Sequence, residues 1–146
     1  MVIQREVHVA LPATETFSRV VGDDYDFRFE LEVIRVRRLT SGAMVLGTRY
    51  EVHRRFFGLP AVSVEEVVQL QPPHRIGLGG AFMGMRVVGA FSFHPEVGGT
   101  RVVASFEMPS TGIGALMAKL ATPVLGQQMA KNIRALEREL SSPPAN

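Results

Sequence analysis

Tyr50, Arg54 and Glu66 are polar side chains on strand faces that otherwise carry mainly apolar residues. Tyr50 and Arg54 share the more apolar phase of an alternating segment over residues 44–57, and Glu66 lies among valines in the next segment. A charge on a buried face is costly unless it is paired. We therefore expect Arg54 and Glu66 to pair with each other or with a ligand, while Thr48 and Tyr50 add hydrogen bonds. The alternative is that one or both charges lie at a strand end in water.

This trio could serve acid/base chemistry. Acid–base catalysis at a carbonyl compound needs a positioned acid or base and a group that polarises the carbonyl, and Tyr50, Arg54 and Glu66 could fill these roles. The sequence offers no other catalytic signature. It has no cysteine and its four histidines are scattered, so neither a metal site nor a thiol nucleophile is expected, and no cofactor is implied. Catalysis is thus an alternative to simple binding.

A set of large apolar side chains shares the inward phases of the strands and the first half of the last helix. Ligand sites are mostly apolar with a few placed polar groups, and methionine lines adaptable pockets. The predicted cavity lining consists of Phe82, Phe91, Phe93, Phe106, Met108, Leu116, Met117 and Leu120. The alternative is that these residues simply pack the core.

The elements that must position these residues follow from periodicity. Apolar and polar residues alternate over several segments between residues 3 and 108, and short turns rich in glycine and proline separate them, which predicts an antiparallel meander. Pro12 is well placed in the first turn of a short helix. A change of phase near Val33 and Ile34 predicts a bulge, which would bend the sheet.

A long helix is predicted from about Thr111 to Leu140. Pro123 interrupts it, and a proline inside a helix costs about 3 kcal/mol. We therefore favour a break or a kink at Pro123 over a straight helix. The large side chains of the first half, such as Leu116 and Leu120, must then be covered by the sheet, by a second copy of the chain, by another partner or by a membrane surface.

Length and charge exclude several classes of protein. The chain has 146 residues, which suits one domain, and a formal net charge of +2. An arginine-rich stretch between residues 35 and 55 alternates with apolar residues, so we interpret it as a solvated sheet face and expect no nucleic-acid binding. Neither a leader peptide nor a segment long enough for stable membrane insertion is recognisable, so a cytoplasmic location is expected. Residues 141–146 are expected to form a disordered tail.

Four segments carry a resemblance to a known family. They are residues 9–17 (VALPATETF), residues 46–50 (LGTRY), residues 67–76 (VVQLQPPHRI) and residues 98–103 (GGTRVV). In this order they resemble the START-like or SRPBCC superfamily, which includes birch-pollen-allergen-type and polyketide cyclase/dehydrase-like proteins. The resemblance implies an α+β helix-grip fold over residues 1–146. Its curved antiparallel sheet of six or seven strands would wrap around a long C-terminal helix, with one or two short helices after the first strand.

The same resemblance implies a cavity between the sheet and the final helix, but not one activity. We expect the protein to bind a hydrophobic small molecule, either a lipid or a polyketide-like compound. One alternative is a polyketide cyclase or aromatase that uses Tyr50, Arg54 and Glu66. Another is a protein-interaction or toxin-like module that uses the apolar face of the final helix, where a homodimer could form.

Overall fold

The computed structural model describes residues 1–56, 58–82 and 84–141. The strands in this part of the chain are β1 (Val2–Val9), β2 (Val33–Arg38), β3 (Arg49–Phe56), β4 (Leu59–Gln71), β5 (Arg75–Phe82), β6 (Met85–Glu96) and β7 (Gly99–Glu107). The helices are α1 (Ala13–Val20) and α2 (Gly112–Ser141).

The strands form a seven-stranded sheet in the order β1-β7-β6-β5-β4-β3-β2, and every neighbouring pair is antiparallel. Strands β2 to β7 therefore follow one another as a meander, and β1 closes the far side against β7. The pairing of β2 with β3 shifts register between Val33 and Arg35, which confirms the predicted bulge. A second shift falls between Val67 and Gln69 in β4. Such irregularities bend a sheet, so its concave face can grip a helix.

Helix α2 crosses the concave face and buries a stripe of side chains there. Leu125, Ile133, Leu136 and Leu140 are all buried, as their spacing predicts. The second half of the helix joins a large core that includes the aromatic residues of α1 and β6. A smaller core lies under the first half of the helix and includes Met108.

Pro123 lies inside α2, which runs as one helix from Gly112 to Ser141. Of the two predicted alternatives, a break at Pro123 is therefore wrong, and the helix runs through this position. A proline removes the donor for the carbonyl four residues earlier, here that of Lys119. Both Pro123 and Lys119 are exposed, so water can bond this carbonyl. Ser141 is the last residue of the helix, and the rest of the tail predicted from about residue 141 lies outside the described residues.

Candidate functional site

A cavity of about 210 Å³ lies between the sheet and the second half of α2. Residues from β3 to β7 form its floor, and Leu125, Met129 and Ile133 of α2 form its roof, together with Gln128 and Asn132. The cavity has more apolar than polar wall, as small-molecule sites usually have.

Small residues create this space. Gly89 and Ala104 lie in the floor where larger side chains would fill the space under the helix. A Cβ atom built on Gly89 would meet only Cδ2 of Phe106 within 4 Å, at 3.8 Å. The space at this position is therefore open, and a larger side chain could enter it without a collision at its Cβ.

At one end of the cavity the guanidinium of Arg54 is surrounded by three carboxylates, and we call this group the Arg54 cluster (Glu30, Glu32, Arg54 and Glu65). Arg54 donates from Nη2 to Oε1 of Glu30 at 2.6 Å and from Nη1 to Oε2 of Glu65. Its Nε lies 3.6 Å from Oε1 of Glu32. The side chain of Arg54 is only 12% exposed. With every group ionised the cluster carries one positive and three negative charges, a net charge of −2.

The predicted pair of Arg54 with Glu66 is not formed. Glu66 is exposed on the outer face of β4, and Glu65 takes the inward position beside Arg54. The error comes from the phase of β4. Val62 and Val64 made one face look buried, but both valines are exposed on the outside of the sheet.

Further polar groups surround the Arg54 cluster. The hydroxyl of Tyr25 donates to Oε2 of Glu30 at 2.7 Å, and that of Ser63 donates to Oε2 of Glu65 at 3.1 Å. Asn132 on α2 donates from Nδ2 to Oε2 of Glu32 at 3.1 Å. The cluster thus joins strands β3 and β4, the loop before β2 and the helix.

Burial changes the proton affinity of this cluster. Desolvation, together with the charges of Glu65 and Glu32, raises the pKa of Glu30 to about 7 against the opposing effect of Arg54. Burial and the charge of Glu30 also raise the pKa of Tyr25 well above its usual value. Burial lowers the pKa of Arg54, but Glu30 and Glu65 outweigh this and raise it. At neutral pH the cluster therefore combines a fixed cation and a phenol with a carboxyl that is partly protonated.

Tyr50 and Thr48 do not line the cavity. Both are buried, and the hydroxyl of Tyr50 donates to Oδ1 of Asp24 at 2.7 Å. Burial and this bond raise the pKa of Tyr50. Thr48 accepts a bond from the backbone N–H of Val45 at 2.9 Å and so supports the loop before β3. Tyr50 instead contacts a wide surface depression of about 640 Å³ along β2, which is open to solvent.

The structure divides the other predicted lining residues into three groups. Arg54, Phe82, Phe91 and Phe106 lie in the cavity wall. Phe93 and Met108 are buried in the cores outside it, and Phe93 packs edge-on against Phe17 with ring centroids 5.4 Å apart. Met117 packs against the smaller core, whereas Leu116 and Leu120 are exposed and face away from the cavity.

Sequence reasoning missed several polar groups of the site. Glu30 and Glu32 looked like the polar phase of a strand, but this stretch forms turns before β2. Tyr25 gave no periodic signal. A correct phase for β4 would have placed Glu65 on the inner face. Asn132 could have been found from its position in the second half of the helix, where the apolar stripe faces the sheet.

The curved antiparallel sheet, the gripping C-terminal helix and the cavity between them define a helix-grip protein of the START-like class. Solved structures support this. A protein of Thermus thermophilus has a TM-score of 0.71 at 20% identity and covers 96% of this chain and 97% of its own. Ara h 8.0201 has a TM-score of 0.65 at 13% identity over 96% and 97%. An aromatase/cyclase of Streptomyces has a TM-score of 0.70 at 16% identity over 96% and 93%.

The chain belongs to the family described as polyketide cyclase/dehydrase and lipid transport, whose family model matches residues 1–141. The resemblance drawn from the sequence is therefore confirmed. No curated protein matches the sequence. Within the described residues, neither helix has a stretch apolar and long enough to cross a bilayer.

Proposed function

We propose that this protein binds a neutral hydrophobic small molecule whose hydroxyl or carbonyl group meets Glu30. The observation that carries the proposal is an apolar cavity that ends on a partly protonated carboxyl. The family, which includes polyketide cyclases and lipid carriers by its description, supports a ligand-binding or cyclase role. Polyketides and lipid alcohols both have the required chemistry.

The Arg54 cluster favours a neutral ligand over an anion. Nη1 and Nη2 of Arg54 already donate to Glu30, Ser63 and Glu65, so little of the guanidinium is left for a ligand carboxylate. The cluster is also negative overall, and burying a further unpaired anion beside it is costly. A protonated Glu30, in contrast, can donate a hydrogen bond to a carbonyl or hydroxyl oxygen.

The volume of the cavity limits the ligand. At about 210 Å³ it exceeds the roughly 150 Å³ of an engineered apolar cavity that binds benzene. It is smaller than the roughly 300 Å³ at which typical drug-sized sites begin. We therefore expect a compact guest, such as a medium-length acyl chain or a small aromatic polyketide.

Displacement of the small fluorescent probe indole, whose emission this tryptophan-free chain does not mask, tests this proposal with two ligands that differ in their polar end. We expect octanol to displace the probe at least about tenfold more strongly than octanoate at neutral pH, because the carboxylate of octanoate is ionised. The matched control is Gly89→Val, which fills the cavity and should weaken both. Equal or stronger binding of octanoate would refute the preference for neutral ligands. Displacement by neither ligand, with no small molecule retained in native mass spectrometry, would refute the carrier function.

A cyclase is the second candidate, and one observation favours it. A pKa of about 7 is suited to a general acid or base at neutral pH, and Glu30 lies in the cavity wall. As a base, the carboxylate would take a proton from the carbon between two carbonyls of a poly-β-ketone. That carbon would then bond to a second carbonyl carbon, and Glu30 would return the proton to the resulting alkoxide.

Turnover of a poly-β-ketone mimic tests the cyclase. We expect Glu30→Gln to lower turnover by about a hundredfold or more, in keeping with the usual contribution of acid–base catalysis, while probe binding persists. Tyr50→Phe is the matched control, because the hydroxyl of Tyr50 lies outside the cavity and should not affect turnover. An absence of turnover in the wild-type protein would refute the cyclase and leave the carrier as the remaining candidate function.

A further inference from the structure

One face of α2 is apolar and exposed. Ile113 is 81% exposed, Leu116 59% and Leu120 69%. At about 100° per residue these three side chains fall within about 60° of one another, and the cavity residues of α2 point to roughly the opposite side. We call this surface the outer face of α2. The exposure of all three side chains means that the sheet does not cover it.

The charges on this part of the chain all have one sign. From Met108 to Leu136 the only charged residues are Lys119, Lys131 and Arg134, and there is no Asp or Glu. All three are exposed. Both lysines of the chain lie on this helix. By the same helical geometry Lys131 and Arg134 continue the outer face, and Lys119 lies at its edge.

The acidic residues nearest in sequence leave the outer face with a positive charge. Glu137 is exposed and by the same geometry lies at the same edge as Lys119, whereas Arg138 continues the outer face itself. Glu107 is an exposed residue of β7, and its neighbours Phe106 and Met108 point to the concave side, so Glu107 points to the other side of the sheet, away from α2. Glu139 near the end of the helix lies 3.2 Å from Nη1 of Arg28. The outer face of α2 is therefore an apolar surface followed by a basic one.

We propose that the outer face of α2 adsorbs reversibly to an anionic lipid surface. An apolar stripe with basic residues is typical of helices that lie in the membrane interface, and neither described helix can span a bilayer. Each basic residue near an anionic surface strengthens adsorption, by about fivefold in partition coefficient. Three exposed apolar side chains supply the hydrophobic part.

A second copy of the chain fits this face less well. Two outer faces brought together would juxtapose the lysines and arginines of both copies, with Glu137 of each copy at the edge as the acidic counterpart, and this excess of positive charge disfavours a stable contact. Three side chains also offer much less than the roughly 800 Å² that each partner of a standard interface buries. The homodimer is therefore an outcome that the test must distinguish.

Co-sedimentation with vesicles tests the proposal. We expect the wild-type protein to bind phosphatidylcholine vesicles that contain about 30% phosphatidylglycerol, and to bind pure phosphatidylcholine much more weakly. The double variant Leu116→Gln/Leu120→Gln should lose binding. Lys119→Gln/Lys131→Gln should weaken it by about thirtyfold, and about 0.5 M salt should release the protein.

Matched controls use exposed residues of the sheet. Leu59→Gln/Val64→Thr removes the same number of exposed apolar side chains, and Arg49→Gln/Arg86→Gln removes the same number of charges; both should bind like wild type. Because all these positions are exposed, the variants should keep the wild-type melting temperature and the wild-type binding of indole. Failure of the membrane proposal is therefore distinguishable from failure of the ligand-binding proposal. If the helix variants bind the anionic vesicles as strongly as the wild-type protein, the proposal is overturned. A concentration-dependent dimer without vesicle binding would also overturn it.

Discussion

Arg54 and Arg55 are adjacent in β3 and have opposite environments. Arg54 is held by the carboxylates of its cluster, whereas Arg55 is exposed and donates to the backbone carbonyl of Gly58 at 3.1 Å. Because the pleat sends successive side chains to opposite faces, this pair offers a matched test of what the buried cation contributes to the fold.

We predict that Arg54→Met lowers the free energy of unfolding by about 3 kcal/mol or more at pH 7.5, because three carboxylates then lose their only cation. Arg55→Met should change it by less than about 0.5 kcal/mol. The loss at Arg54 should shrink near pH 5, since protonation relieves the unpaired charges. Urea unfolding of both variants at the two pH values measures this, and equal effects at Arg54 and Arg55 would contradict the assigned role of the cluster.

Glu30 should make stability depend on pH. Its pKa is raised from 4.5 to about 7 in the folded protein, so the folded state binds the proton more tightly than the unfolded chain. The contribution of this group is present below about pH 4.5 and is lost as the pH rises through about 7, with a total change of up to about 3 kcal/mol.

Glu30→Gln should flatten this dependence. The glutamine cannot ionise, and Glu32 and Glu65 remain to balance Arg54, so the variant should be at least as stable as wild type at pH 8. Urea titrations between about pH 4.5 and pH 8 compare the slopes. A wild-type stability that does not fall over this window would show that Glu30 has an ordinary pKa.

At the scale of the element, periodicity predicted the strands and the helix better than it predicted which way they face. The stripe of Leu125 to Leu140 and the bulge after Val33 were found because burial on one side leaves a regular pattern. The buried face of β4 was predicted wrongly because Val62 and Val64 are apolar residues on its outer face. A one-residue error of phase moves every side chain to the other face. For this reason the prediction named Glu66, and not Glu65, as the partner of Arg54.

Pro123 is a second position at which sequence rules alone did not predict the structure, here the course of the helix. Propensity favours a break or a kink at Pro123, and burial of Leu125, Ile133 and Leu136 against the sheet stabilises a continuous helix over a broken one. Tertiary packing commonly outweighs local propensity in this way.

If packing stabilises the helix despite the unfavourable free energy of a proline at position 123, replacing this proline should make the protein more stable. We predict that Pro123→Ala raises the free energy of unfolding by about 1 kcal/mol or more. The exposed position means that little packing is lost. Ala130→Pro, deeper in the same helix, is the opposite control and should destabilise strongly. Thermal melts monitored by circular dichroism provide the measurement, and a lower melting temperature for Pro123→Ala would show that the helix needs its proline.

At the scale of the whole molecule, the cavity depends on sheet curvature and helix position together. The sequence predicted a cavity between sheet and helix through the family resemblance, but it could not predict which half of α2 would form the roof. The first half carries large side chains such as Leu116 and Leu120, yet they face outward. Only the assembled fold shows that Met129 and Ile133 close the space above Gly89 and Ala104.

The volume of the cavity predicts a length limit for linear ligands. Benzene in a cavity of roughly 150 Å³ corresponds to about 25 Å³ per carbon, so about 210 Å³ holds about eight carbons. Each buried methylene contributes about 0.8 kcal/mol, or about fourfold in affinity. Displacement by a series of linear alcohols should therefore strengthen about fourfold per carbon up to octanol and then level off.

Gly89→Val provides the matched variant for this limit. Its side chain adds three carbons to the cavity, and the space near Gly89 is open to receive them, since a Cβ there meets only Phe106 at 3.8 Å. The plateau should accordingly move to about five carbons, whereas Ala43→Val on an exposed loop should leave it unchanged. Affinity that continues to rise through dodecanol in wild type, or a plateau that Gly89→Val does not shorten, would mean that the chains bind outside the cavity.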